Sequence, residues 1–190
     1  MRWLLRLLGF GKSEETAAEP DLTDLSLSNL KAGYYVDYDL KTWQVTASNT
    51  YDWGSGDLSH EWQLKSSEET IYLEKETDDE DYWSVSRKIP FGRLGNAVRQ
   101  HLTENEDPPD EIELDGVTYY MDEWAGGKFL KDGQGPGREM LVWDYEDDSG
   151  RRYLSIEQWG EEDFEASLGE PVEPYQFTNI LPGEEPPSPA

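Results

Sequence analysis

Catalysis or specific binding needs a nucleophile, an acid–base pair, a set of metal ligands or an ordered array of charge, and this sequence is rich only in carboxylates and aromatic rings. Asp and Glu number 42, against 16 Lys and Arg and two His. Cysteine is absent, which removes disulfides, thiolate catalysis and cysteine-ligated zinc or iron–sulfur sites. His60 and His101 stand far apart with no metal-ligand spacing, and both are expected to be ordinary surface or turn residues. Asp78, Asp79, Glu80 and Asp81 offer oxygen ligands, but without the spacing and central glycine of an EF-hand loop they read as a solvated turn. The segment GKFLKDGQGPGRE has glycines and lysines but neither the spacing nor the Lys-Ser/Thr ending of a phosphate-binding loop. No pair of carboxylates can be singled out for glycoside-type chemistry from so many candidates. An enzyme would show itself through carboxylates enclosed in a nonpolar pocket, where their proton affinities shift. The expectation is therefore no catalytic residue, no cofactor and no metal site.

Aromatic rings are the other resource, with eight Trp and eleven Tyr. Trp53 and Trp124 lie in glycine-bearing segments, where an exposed ring beside carboxylates can hold an ammonium group by cation–π attraction. These two residues are the candidate cation contacts, and a polyamine or small cation is the ligand they suggest.

Charge is distributed unevenly. The formal net is −26, yet residues 1–12 carry Arg2, Arg6 and Lys12 and no acid. Such an acidic body disfavours direct contact with nucleic-acid phosphates and attracts basic proteins, polyamines or metal cations. The same charge allows an acidic nucleic-acid mimic that occupies a basic protein's groove. As a helix, the first segment places Trp3, Leu4, Leu7 and Leu8 on one face and Arg2 and Arg6 on another. It is far shorter than the roughly 20 apolar residues that cross a bilayer. Arg2, Trp3, Leu4, Arg6, Leu7 and Leu8 are thus expected to contact an anionic membrane surface or a protein partner.

Positioning these groups requires a scaffold, and the scaffold looks duplicated. An offset of 81 superimposes Trp62 on Trp143, Tyr72 on Tyr153, Leu73 on Leu154, Glu76 on Glu157 and Pro90 on Pro171. Upstream an offset of 76 pairs Asp39 with Asp115, Trp43 with Tyr119 and Val45 with Met121, and the difference falls in the segment from Gly126 to Gly137, read as an inserted loop. Alternating apolar positions and turn residues predict strands at 41–46, 62–64, 71–74, 82–86, 113–121, 141–145 and 151–156, with a turn around Trp53 and a helix at 91–103. The expected fold is mainly β: two small related sheets or barrels facing each other across a pseudo-twofold. The expected divisions are a basic tip at 1–12, an acidic linker at 13–29, a first module with its helix at 30–103, a bridge at 104–112, a second module at 113–181 and a disordered tail at 182–190.

The run KAGYYVDYDLKTWQV, followed by YDW, EWQL and YLE, resembles the bacterial domain of unknown function 4178, with weaker counterparts DGVTYYM, VWDY and YLSIEQWGEEDFEAS in the second half. The similarity runs from about Leu30 to Pro182. It implies no established activity and no catalytic residues to carry over. It also implies an accessory role near the inner membrane, in stress response or in polyamine handling. Together the residues and the resemblance favour a noncatalytic, cytoplasmic accessory protein that binds a protein partner, with peripheral membrane contact through its first segment; a polyamine-binding protein is the alternative.

Overall fold

The structure, a computed structural model, describes residues 25–184. The candidate contact residues Arg2, Trp3, Leu4, Arg6, Leu7 and Leu8, most of the linker and the last six residues lie outside the described residues.

Apolar side chains at every second position dictate the strands, because successive side chains of a strand point to opposite faces. Strands β1 (Tyr35–Tyr38), β2 (Lys41–Gly54), β3 (Asp57–Lys65), β4 (Thr70–Thr77) and β5 (Asp81–Ile89) follow one another as hairpins. A 3₁₀ turn at Phe91–Leu94 and helix α1 (Asn96–Asn105) come next. They lead into β6 (Glu111–Leu114), β7 (Val117–Leu130), β8 (Arg138–Asp147), β9 (Tyr153–Gly160), β10 (Asp163–Pro171) and β11 (Thr178–Leu181). All join a single antiparallel sheet in the order β11-β1-β2-β3-β4-β5-β10-β9-β8-β7-β6. A further pairing of β2 with β7 returns the sheet on itself, so β2, β3, β4, β5, β10, β9, β8 and β7 form a closed ring.

Two apolar clusters lie against this ring. One gathers Leu27, Leu30, Val36, Trp43, Trp62 and Leu73 with Val172 and Phe177 from the far end of the chain. The other gathers Phe91, Val98 and Leu102 with Tyr145, Leu154 and Ile156. Trp62 and Trp143 are both buried, and each indole finds a partner: Trp62 Nε1–H donates to the Leu30 carbonyl at 2.9 Å and Trp143 Nε1–H to Asp107 Oδ1 at 2.8 Å. The alternate positions, among them Glu61, Glu74, Ser84, Asp144 and Glu157, turn to the other face and enclose a cavity.

Several expectations change. The packed body begins at Leu27, inside the segment read as linker. The bridge read at 104–112 ends within β6, where Ile112 is buried. Strand β11, assigned to the second module, pairs with β1 of the first. The turn expected around Trp53 is only Ser55 and Gly56, and Trp53 itself belongs to β2. Nor are Gly126 and Gly127 loop residues: β7 continues through them to Leu130, and a Cβ on Gly127 would stand 2.5 Å from Cε3 of Trp53, so glycine lets the two strands meet. The 91–103 helix is broken at Gly95, whose φ of 87° interrupts it.

Strand register differs between the two stretches matched by the offset of 81. Trp62 stands opposite Leu73, whereas Trp143 stands opposite Ile156. Measured from the two tryptophans, Glu157 therefore corresponds to Glu74 rather than to Glu76. Beyond it, Leu73 faces Val85 and Ile156 faces Ala166, which restores the offset of 81.

Candidate functional site

A cavity of about 470 Å³ is lined by residues from all eight ring strands, a size within the range of small-molecule sites. Eleven of its lining residues are Asp or Glu, and none of them is Lys, Arg or His. The register explains the density: Asn49 faces Glu61, Glu61 faces Glu74 and Glu74 faces Ser84 across successive strands, and on the far wall Ser167 faces Ser155, Ser155 faces Asp144 and Asp144 faces Glu123. Each inward acid follows or precedes a core residue, as in Leu73–Glu74, Trp143–Asp144 and Ile156–Glu157, so the packing of the apolar neighbours drives the acid into the cavity.

Hydrogen bonds hold part of this array. Asn49 Nδ2 donates to Glu61 Oε1 at 2.8 Å and the Tyr51 hydroxyl to Glu61 Oε2 at 3.1 Å. The Trp53 indole donates to Ser59 Oγ at 3.2 Å, and Ser59 in turn donates to Glu74 Oε1 at 3.1 Å. Ser155 donates to Asp144, and Trp159 Nε1–H to Glu157 Oε2 at 3.2 Å. Every enclosed side-chain N or O among the described residues has a hydrogen-bond partner. The second oxygen of Glu74 accepts no hydrogen bond from them, so it opens onto the cavity.

Crowding of like charge in an enclosed space favours the protonated form. Burial pushes Glu74 well above the usual carboxylate range, and the charges of Glu76, Glu61 and Asp144 add to it. Asp144 is raised to about 7 by burial, against the Ser155 hydrogen bond and with Glu76, Glu123 and Asp122 contributing. Glu157 is also raised to about 7 by burial; nearby Lys88 opposes this, while Glu61 and Glu165 reinforce it. Burial raises Glu61 too, offset in part by Asn49 and Tyr51. Glu76, whose side chain is exposed, is also raised, by burial and by Glu123 and Asp57.

One ammonium group of the chain reaches this array from the side. Lys88 Nζ is ion-paired with Glu165 and lies 5.3 Å from the centroid of the Tyr72 ring. Burial works against its charge, but Glu165 and Glu157 outweigh it and raise its pKa.

The two expected cation contacts part company. Trp53 lines the cavity, but its indole N–H is held by Ser59, its ring stacks on Tyr51 at 5.5 Å, and Gly127 lies against it. Trp124 is 67% exposed and does not line the cavity. Glu80 and Asp81 of the acidic turn stand at the cavity edge, where Asp81 pairs with Lys75 at 2.9 Å. His60 and His101 stay apart from the cavity, His101 beside the Asp107 carbonyl at 2.8 Å. Among the described residues, no three His, Cys, Asp or Glu side chains are placed to hold one metal ion, and no helix is long and apolar enough to cross a membrane. The residues that sequence reasoning missed are Glu61, Glu74, Asp144 and Glu157. Their signal was present as an acid at alternate positions between core residues.

The model of the family described as domain of unknown function (DUF4178) matches residues 31–174. The chain is also 24% identical over 182 residues to an uncharacterized protein of Aquifex aeolicus (strain VF5), covering 96% of this chain and 99% of that protein. No solved structure matches.

Proposed function

We propose that this chain, which belongs to the domain of unknown function 4178 family, binds a linear organic polycation of the polyamine class in its central cavity. The observation that carries the reading is the row of inward carboxylates, Glu61, Glu74, Asp144 and Glu157, in an enclosed space whose wall bears no basic side chain. Several acids held together without cations destabilise the fold, and a bound polycation removes that cost. The acids are spread over opposite walls instead of converging on a point, which suits a chain of ammonium groups better than a single metal ion.

The internal duplication fits the same reading. We take the two halves as related half-rings across a pseudo-twofold, with seams at β2–β7 and β5–β10. Corresponding bulges support this, between Val45 and Ala47 in one half and between Met121 and Glu123 in the other. Placing Glu74 and Glu157 at corresponding positions gives the cavity an acid on each side of the axis.

Calorimetric titration with spermidine at low and physiological salt tests the proposal. Saturable binding that persists at physiological salt and is lost when Glu74 and Asp144 are both replaced by their amides supports it. Heat that vanishes with salt leaves only diffuse attraction to a polyanion and sinks it. A second reading, a carboxylate-based hydrolase, has the near-neutral acidities of Asp144 and Glu157 in its favour. It requires a turned-over ligand and a bell-shaped pH profile, whereas the binding reading requires the amine to be recovered unchanged.

A further inference from the structure

The polyamine reading leaves open where the first ammonium goes, and Lys88 indicates the answer. Its Nζ is paired with Glu165 and lies over Tyr72, with Glu157 and Glu61 close enough to affect its charge. Lys88 stands opposite Ser167 across the β5–β10 seam, and Gly169 stands opposite Ser86 across the same seam. These two pairs are each other's counterparts at an offset of 81. Gly169 is therefore the position in the second half that Lys88 holds in the first.

The surroundings correspond as well. With the β4 and β9 registers aligned through Trp62 and Trp143, Glu157 corresponds to Glu74 and Tyr72 to Ser155. Glu165 faces Glu157, while Ser84 faces Glu74. On one side of the cavity an acid thus has a lysine ammonium, a second acid and an aromatic ring. On the other side, Glu74 has a glycine and two serines, with Tyr153 opposite the glycine on β9.

Filled space and open space follow the same division. Tyr72, Lys88 and Glu165 do not line the cavity, whereas Glu74, Asp144, Ser84, Ser155 and Gly169 all do. The unbonded oxygen of Glu74 opens onto the cavity, and Asp144 stands close enough to raise its proton affinity.

We infer that a primary ammonium group of the ligand occupies the space beside Gly169, paired with Glu74 and Asp144, in the place that the Lys88 ammonium occupies in the other half. This rests on the cation-binding reading above and narrows it. The ligand presents an unbranched, terminal –NH₃⁺, and the rest of its chain runs toward Glu76 and Glu123 at the mouth. A quaternary ammonium is excluded, because it has no N–H to give to the carboxylates, Ser84 or Ser155.

The test is calorimetry at physiological salt on the full chain with spermidine, 1,4-diaminobutane and tetramethylammonium. The two primary amines are expected to bind and tetramethylammonium is not. Glu74→Gln is expected to weaken binding at least tenfold. Gly169→Lys supplies a tethered ammonium and is expected to abolish binding. A Cβ at 169 meets the Val85 carbonyl at 3.3 Å and Ser86 Cβ at 3.4 Å, so this variant is read only if its circular dichroism matches the parent. Lys88→Ala gives an independent arm: emptying the corresponding space is expected to raise the stoichiometry toward two amines per chain. Amine binding that survives Glu74→Gln at full strength, or a stoichiometry unchanged by Lys88→Ala, overturns the placement and leaves the binding reading intact. A parent chain that binds none of the amines overturns the reading itself.

Discussion

Replacing Asp144 by asparagine should stabilise this protein, and most strongly at neutral to alkaline pH. The Asp144 carboxyl is raised from 3.8 to about 7 by burial and by Glu76, Glu123 and Asp122. Between those two pH values the native state keeps a proton that the unfolded chain has released, so stability is lost as pH rises through this window and stays lost above it. The displacement corresponds to about 4 kcal/mol at pH 8, and relaxation of the cavity brings a realistic figure to about 2–4 kcal/mol. Asparagine cannot ionise, and its carbonyl still accepts the Ser155 hydroxyl. Asp144→Asn should therefore raise the thermal midpoint by about 5–15 °C at pH 8 in a chain of this size, and by less than half as much at pH 5, where only part of the window has been crossed. Thermal unfolding followed by circular dichroism at both pH values reads this directly. Glu113→Gln, on the exposed face of β6, removes one negative charge without touching the cavity and serves as the control. The reasoning fails if Asp144→Asn shifts the midpoint equally at pH 5 and pH 8, or if the parent is more stable at pH 8 than at pH 5.

Two further predictions concern the frame around the cavity. Gly127→Ala should cost about 2–3 kcal/mol in urea unfolding, because the added methyl stands 2.5 and 2.8 Å from Trp53 ring atoms; Trp53→Leu in the same chain should recover part of the loss. Leu40→Gly should stabilise by roughly 0.5–1 kcal/mol in the same assay, since Leu40 is fully exposed at a φ of 61° while Gly116, in the turn between β6 and β7, meets a φ of 77° without a side chain.

The sequence showed the strands and the core more clearly than the site. Trp62, Trp83, Trp143 and their aliphatic neighbours alternate with polar residues, and alternation alone is enough to place them in buried strands. It does not say what the other face meets. Glu61, Glu74, Asp144 and Glu157 look like solvent-facing acids until β2 pairs with β7 and encloses them, and that pairing joins residues such as Tyr51 and Phe129 that are remote in sequence. Trp53 was legible as part of the region but not in its role, because its contact with Gly127 crosses the same seam. The two-residue difference in register between Trp62–Leu73 and Trp143–Ile156 was hidden because matching letters, Tyr72 with Tyr153 and Leu73 with Leu154, favour a constant offset.

The pairing of β11 with β1 bears on how the chain is made. Tyr38 stacks on Phe177 at 4.4 Å, and Val172 and Phe177 complete the apolar cluster that begins at Leu27. While the first five strands leave the ribosome, that cluster lacks its last members and β1 has an unpaired edge, a template for misassociation. The ring cannot close before β10 emerges to pair with β5, and the cluster cannot close before β11 does. Acquisition of the native state is thus postponed until β11 has been made, and these distant pairings set a slow pace. A nascent chain stalled after β10 would hold most of its hairpins and remain a substrate for chaperones and proteases.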